Sequence, residues 1–411
     1  MNWPMISVSQ LCIHAIDCVN KTAPTVDYET PFKMIRTTNV KNGFIHLEKV
    51  NYVSESVYEK WTRRAKPHFG DVILTREAPV GEVGRFTSND TNIFLGQRLF
   101  HFRPNPELLD WNYLAYVLQS PLIQGKLRGM SFGATVQHIK VGDAENLQIP
   151  CPPIKIQRKI GDILSSYDDL IENNRRRIVL LESAARLLYQ EWFIHLRFPG
   201  HEHITITDGL PEGWNEVHFD KVLCSIESGS RPSGGAKDEE GIPSIGAENV
   251  LGLGLYDYSK EKYVSEDYFG GMKRGVVRDR DVVLYKDGAN IGRASYFGNN
   301  FPHERCAVNE HVFILRSRPA IGQTFLYFWM IQSENRQAIA NLNSNTAQPG
   351  INQKKLKNLQ FLLPPEHLTR KFNDAVESQI RQIFTLARMN RKLKITRDLL
   401  LPRLMSGEIT L

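Results

Sequence analysis

The chain has 411 residues, 41% of them apolar, 10% aromatic and 23% charged. That is enough apolar material for two or three folded cores, and it excludes a disordered or fibrous protein. Lysine and arginine number 51 against 45 acidic residues, a net charge of +6, which permits an anionic partner without requiring one. No stretch approaches the ~18 uninterrupted apolar residues of a membrane span, and the opening MNWPMISVSQLC carries no cationic leader. The five scattered cysteines, Cys12, Cys18, Cys151, Cys224 and Cys306, lack the short spacings of a zinc site. The expectation is a cytoplasmic protein with reduced thiols.

In chain order, Trp3 opens an alternating run that ends at Leu11-Cys12. The segment NYVSESVY follows at 51–58, and then come short strand-like runs rich in Val, Ile, Leu and Phe: DVILT from Asp71, NIFLG, and RLFHF up to 102. Residues 111–129 space their apolar side chains as a helix does, and a small polar segment, SFGATVQHIK, leads into NLQIPCPP at 146–153. From 154 to about 196 the apolar positions Ile160, Ile163, Tyr167, Leu170, Leu181, Ala184 and Leu188 alternate by three and four, with Asn174 as a polar member of the stripe. This is the pattern of a coiled-coil seam on a helix on the order of 65 Å long.

The chain then starts again. Trp214 in LPEGWNEV opens a second alternating run to Leu223-Cys224. KYVSEDYF at 262–269 echoes NYVSESVY, and DVVLYKDGANIGRASYF at 281–297 echoes DVILTREAPVGEVGRF at 71–86. EHVFILR at 310–316 echoes QRLFHFR at 97–103, and NLQFLLPPEHLTRK at 358–371 echoes NLQIPCPPIKIQRK at 146–159. The blocks keep their order at offsets of roughly 210 residues, so the molecule is a tandem duplication. A second long helix is predicted from Phe372 on, where Val376, Ile383 and Asn390, and Leu386, Leu393 and Leu400, step by sevens. Two-fold related halves make the two helices antiparallel. The longer interval from Arg370 to Asn390 than from Arg158 to Asn174 suggests a four-residue stutter. The expected fold is α+β: two tandem, pseudo-two-fold-related, strand-rich domains separated by two long antiparallel coiled-coil helices, with domain boundaries at 1–153, 154–200, 201–365 and 366–411.

Catalytic motifs are missing. The Gly-rich segment GSRPSGGAKDEEG at 229–241 has no phosphate-loop lysine and serine. Pro152-Pro153 and Pro364-Pro365 lack the amide and aromatic of a base clamp and read as helix starts. His201 and His203 have no cysteine partner, and Glu77 and Asp287 follow strands without a Glu-x-Lys to complete a nuclease metal site. The recurrence of Gly84-Arg85 as Gly292-Arg293 reads as scaffold.

The duplicated unit, each copy ending in an NLQIPCPP-like segment and a long helix, resembles the specificity subunit of type I restriction-modification systems. The helix ends LLYQEWF at 187–193 and RDLLLPRLMSGEI at 397–409, together with LPEGWNEV at 210–217, carry this resemblance, which spans essentially the whole chain. It implies a DNA-reading component with no catalytic centre and no cofactor of its own. Each variable domain would read one half of a split site on double-stranded DNA. The helices would set the gap and dock two methylation subunits, with two motor-nuclease restriction subunits completing the complex. S-adenosylmethionine, ATP and magnesium would reside in those partners, and no membrane is involved.

For DNA contact the first domain offers Arg63, Arg64, Lys66, Arg76, Gln137, His138 and Lys140. The second offers Arg231, Lys286, Arg305, Asn345, Gln348, Asn352, Gln353, Lys354 and Lys355, with Arg85 and Arg293 as further cations in the repeated blocks. The loops before NLQ are favoured, since they differ between halves while carrying amide and basic side chains. A protein-binding oligomeric scaffold, or a stand-alone nuclease with an unrecognised carboxylate site, are the alternatives.

Overall fold

The structure is a computed structural model that describes residues 3–409 and 411, apart from 20, 91, 132, 134–136, 238–239 and 344–348. It divides into two compact units, Met1–Leu170 with Leu393–Leu411, and Ile171–Lys392. Each unit thus contains part of both long helices.

The duplication is visible in the sheets. In the first unit, strands Cys12–Asp17, Leu99–Pro104, Val72–Thr75 and Val83–Arg85 lie side by side in that order, extended by a hairpin of Val40–Lys41 and Gly43–Ile45. In the second, Leu223–Ser228, Val312–Ser317, Val282–Tyr285 and Ala294–Tyr296 repeat the same order. A second, three-stranded sheet recurs as well. Lys33–Ile35 pairs parallel with Ile93–Leu95 and antiparallel with Asn51–Tyr52, as Ile242–Ile245 pairs with Ala307–Val308 and Lys262–Val264. The central strands VILT and VVLY are apolar at nearly every position because helices and sheet cover both faces.

An ion pair closes each main sheet at the same place. Asp71, just before its strand, accepts two hydrogen bonds from Arg103 at 2.9 and 2.8 Å, and Asp281 accepts two from Arg316 at 2.7 Å each. Burial alone would raise the Asp71 carboxyl, but the bonds from Arg103 and His101 overcome it and hold the group at about 2. Asp281 goes the other way, raised by burial, with Glu227, which shares Arg316, adding to the effect.

The long helices, Ile154–Phe193 and Glu366–Met405, are 40 residues each. Both start on a proline carbonyl: Pro153 accepts from Ile156 and Gln157, and Pro365 from Leu368 and Thr369. In the first unit Gly161 lets the helix approach the Asp110 cap of helix Trp111–Gln119; a Cβ there would lie 2.8 Å from Asp110 Oδ1. In the second, Gly322 at φ +79° opens helix Gln323–Met330, where a Cβ would lie 2.2 Å from the Asn373 amide that binds Ile321 and Phe325.

The helices run antiparallel wherever they meet. Asp168 faces Arg397 in the first unit; in the second, Asn174 donates to Asn390 at 2.9 Å and Tyr189 packs on Phe372 with ring centroids 5.6 Å apart. The buried stripe of the first helix is Gln157, Ile160, Leu164, Asp168, Ile171, Asn174, Ile178, Ala185, Tyr189 and Phe193. From Leu164 on it lies about one residue past the expected stripe except at Asn174, where the two coincide, so Leu170 and Ala184 are exposed. Asn174 is the polar member that was expected, and Gln157 and Asp168 are further buried polar side chains that apolar spacing alone does not register. On the second helix Val376, Ile383 and Leu386 are buried as expected. Asn174 and Asn390 are partners across an antiparallel pair, and at the offset that matches Arg158 with Arg370 the counterpart of Asn390 is Ile178, so the two intervals compare positions that are not equivalent. No helix among the described residues is long and apolar enough to cross a membrane.

Candidate nucleic-acid interface

The loop that precedes NLQ in each half folds back on the end of the central strand. In the first unit the Ile139 amide donates to the Arg76 carbonyl at 3.0 Å, and Glu77 bridges His138. In the second the Ile351 amide donates to the Lys286 carbonyl at 3.0 Å, Asp287 bridges Gly350, and the Gly288 amide donates to Pro349. The same edge is therefore built twice, by backbone bonds that are indifferent to side chain. Around the shared Ile139 and Ile351 the side chains differ: Gln137, His138 and Lys140 stand where the second half has Pro349, Gly350 and Asn352, and Gln353, Lys354 and Lys355 follow on the second half alone.

On the first edge Gln137 and Lys140 are exposed and His138 is half-buried. Arg76 departs from expectation. It is buried, and its guanidinium donates to the Ile139 carbonyl at 3.1 Å, so it shapes the loop from below instead of facing solvent. Arg64 is exposed and held beside this edge by Asp17 at 2.6 Å. Lys66 lies over the Tyr58 ring, and its carbonyl accepts from Arg103, toward the other end of the sheet. Arg63 is exposed on the same segment.

On the second edge Asn352 caps the short helix Gln353–Lys357 by accepting from the Lys355 amide at 2.9 Å. Gln353 donates to the Ile226 carbonyl and Lys355 to Leu342, leaving Lys354 exposed. Lys286 and Arg231, far apart in sequence, belong to one charged chain. Lys286 contacts Asp287 at 2.6 Å, Asp287 contacts His311 at 3.1 Å, His311 contacts Glu310, and Glu310 contacts Arg231 at 2.9 Å. Arg305 sits elsewhere, forked onto Glu266 and lying over Phe269. Asn345 and Gln348 lie outside the described residues.

Two residues absent from the expected set occupy matching places on these edges. The carbonyls of Arg98 and His311 accept from the Arg76 and Lys286 amides, and Arg98 pairs with Glu77 at 3.0 Å. Their position in the matching blocks QRLFHFR and EHVFILR was the available signal. The matching of Gly84-Arg85 with Gly292-Arg293 needs correction. Val72 faces Arg85 across the sheet as Val282 faces Tyr296, so Tyr296 is the structural counterpart of Arg85. Arg85 is buried, bonded to Asn112, Tyr116 and Asp168, whereas Arg293 sits on the turn that contains Asn290. Among the described residues no group of three or more His, Cys, Asp or Glu could hold a metal ion.

Such an edge can present amide and cationic side chains on a rigid backbone, differently in each half, and this is the chemistry that base edges and phosphates require. Residues 2–183 and 211–386 match the family model described as type I restriction modification DNA specificity domain. The chain is 25% identical over 363 residues to the type I restriction enzyme MjaIX specificity subunit of Methanocaldococcus jannaschii, covering 87% of this chain and 81% of that relative. It is 27% identical over 320 residues to the MjaVIII specificity subunit of the same organism, covering 75% and 72%. In fold it is similar to the crystal structure of the S subunit of the type I restriction-modification system from M. genitalium, with a TM-score of 0.58 at 18% identity over 98% of this chain and 96% of that one.

Proposed function

This chain belongs to the type I restriction modification DNA specificity family, and from that premise we propose how its parts divide the work. Residues 1–153 and 201–365 each read one half of a bipartite double-stranded DNA site. Residues 154–200 and 366–411 form a coiled-coil spacer that fixes the gap. The observation that carries this reading is the edge built twice with unlike side chains: a shared scaffold with different readers is what a site of two unequal halves needs. Gln137, His138 and Lys140 serve the first half-site, with Arg63, Arg64 and Lys66 as phosphate contacts. Arg231, Lys286, Arg305, Asn345, Gln348, Asn352, Gln353, Lys354 and Lys355 serve the second.

The long helices also dock two methylation subunits. Val179, Leu180 and Leu187 on the first, and Met389 and Leu399 on the second, are large apolar side chains left 46 to 68% exposed, suited to burial against a partner. The methylation subunits supply S-adenosylmethionine and two restriction subunits supply ATP- and magnesium-dependent chemistry, in the cytoplasm. This chain supplies recognition and no catalytic group.

Replacing residues 131–140 by the corresponding loop of another family member tests the assignment. In a complex with the methylation subunit, one half of the methylated motif should change and the other half and the gap should persist. A change in both halves, or in neither, would overturn it.

A further inference from the structure

Positive charge on the long helices is concentrated in one place. Residues 171–177 and 388–392 contain Arg175, Arg176, Arg177, Arg388, Arg391 and Lys392 against the single acid Glu172. The stretches before each run and after the first carry no excess of bases, with three bases and three acids in 154–170, one and two in 178–193, three and three in 366–387; past the second run the excess continues at lower density, with Lys394, Arg397 and Arg403 against Asp398 in 393–405. All six bases lie in the second unit, around the Asn174–Asn390 contact, beside the points where the chain passes between units at 170/171 and 392/393.

Internal structure accounts for only part of this charge. Arg391 is occupied, donating to the Pro302 carbonyl at 3.2 Å and lying over the Tyr258 ring, and Arg388 is half-buried. Arg175 and Arg176 share Glu172, at 3.9 and 3.1 Å, while remaining 50 and 75% exposed. Arg177 and Lys392 are exposed, and neither has a side-chain partner among the described residues. The helix dipole does not explain the run, because 171–177 is mid-helix and the dipole acts on the terminal turns. Ion pairing between the helices would need acids in alternation with the bases. On the second helix Arg388 lies three and four residues from Arg391 and Lys392, like-charge spacings that weaken a helix, and on the first the three consecutive arginines 175–177 have Glu172 as the one acid beside them, so the charge is left unbalanced within the helices.

We propose that Arg175, Arg176, Arg177 and Lys392 bind the phosphodiester backbone of the DNA between the two half-sites. The proposal rests on the reading above: if each unit holds one half-site, the DNA that follows the chain across the boundary is the spacer. Contacts to phosphate carry no sequence information, so this belt adds affinity and registers the length of the gap while leaving the motif's letters to the two edges.

The test uses the complex with methylation subunits and a duplex oligonucleotide carrying the mapped motif. Each phosphate contact contributes about 0.9 to the slope of log K against log salt. The variant Arg175→Gln/Arg176→Gln/Arg177→Gln/Lys392→Gln should therefore bind with a slope shallower by about 2 to 4, with the same preference for the motif over a scrambled duplex. Neutral methylphosphonates placed only in the spacer should weaken the unaltered complex and leave the variant nearly unaffected. An unchanged slope, or an equal methylphosphonate effect on both, overturns the proposal. So does a variant whose DNA slope is intact but whose assembly becomes salt-sensitive, which would assign the belt to an acidic face of the methylation subunit. If the fourfold variant does not assemble, Arg177→Gln and Lys392→Gln singly should each lower the slope by about 1, and no change in either is equally fatal. Failure of the parent reading looks different: the unaltered complex would show no preference for any duplex.

Discussion

Replacing Asp168 by alanine should destabilise the first unit severely. The Asp168 carboxylate is 2% exposed and accepts from Arg85 at 2.9 Å, from the Tyr116 hydroxyl at 2.5 Å, and from Arg397 of the second helix. The Arg85 side chain is itself only 4% exposed. Removing the carboxylate leaves two guanidinium groups facing each other, one of them dehydrated, and breaking a buried pair in this way costs about 3–5 kcal/mol. For a unit of this size each 1 kcal/mol lowers the melting temperature by roughly 2–4 °C, so the loss should be about 10 °C. Calorimetry should show it in one transition only, since the residues concerned all belong to the first unit. Arg85→Met with Asp168→Leu should recover most of the loss, because a well-packed apolar replacement of a buried pair is often neutral or better. The second unit already shows that the fold runs without this charge: the repeat puts Ile380 opposite the place of Asp168 and Ala185 opposite that of Arg397, both buried, and Tyr296 stands at the place of Arg85. A loss below about 1 kcal/mol for Asp168→Ala would refute the reasoning.

Three further outcomes are expected. Asp71 has its folded carboxyl held at about 2, below the ordinary 3.8, so its contribution is complete above pH 4 and is lost as pH falls through 2. It is worth about 2 kcal/mol, and acid titration of stability should show this loss in the natural chain and not in Asp71→Asn. Replacing both Asn174 and Asn390 by leucine should raise the melting temperature of the second unit while relaxing register, read as methylated motifs with more than one gap length; a single unaltered gap would contradict that role. Inserting four residues beside Asn174 should change the gap and keep both half-sites, and altered half-sites would contradict the division between readers and spacer.

The duplication, both helices and the strand-rich character of each half were legible because the chain supplies every element twice, and agreement between copies filters out chance patterns. What was not legible has physical causes. The stripe of the first helix was displaced around Asp168, which is buried through Arg85, Tyr116 and Arg397 and which apolar spacing does not count, whereas Asn174 falls where it was expected. Arg85 was matched to Arg293 because a shared Gly-Arg outweighs a single inserted residue, whereas strand pairing puts Arg85 opposite Val72 and Tyr296 opposite Val282. Arg76 read as a surface cation, yet the returning loop covers it and takes its hydrogen bond through Ile139. The charged chain from Lys286 to Arg231 joins residues more than fifty positions apart, and only the fold brings them together.

The most direct measurement of the central claim is to co-express this chain with its methylation subunit and map methylated bases across a genome by single-molecule sequencing. One split motif with two unequal halves and a fixed gap is expected. A stable complex that methylates nothing, or a single continuous motif, would contradict it.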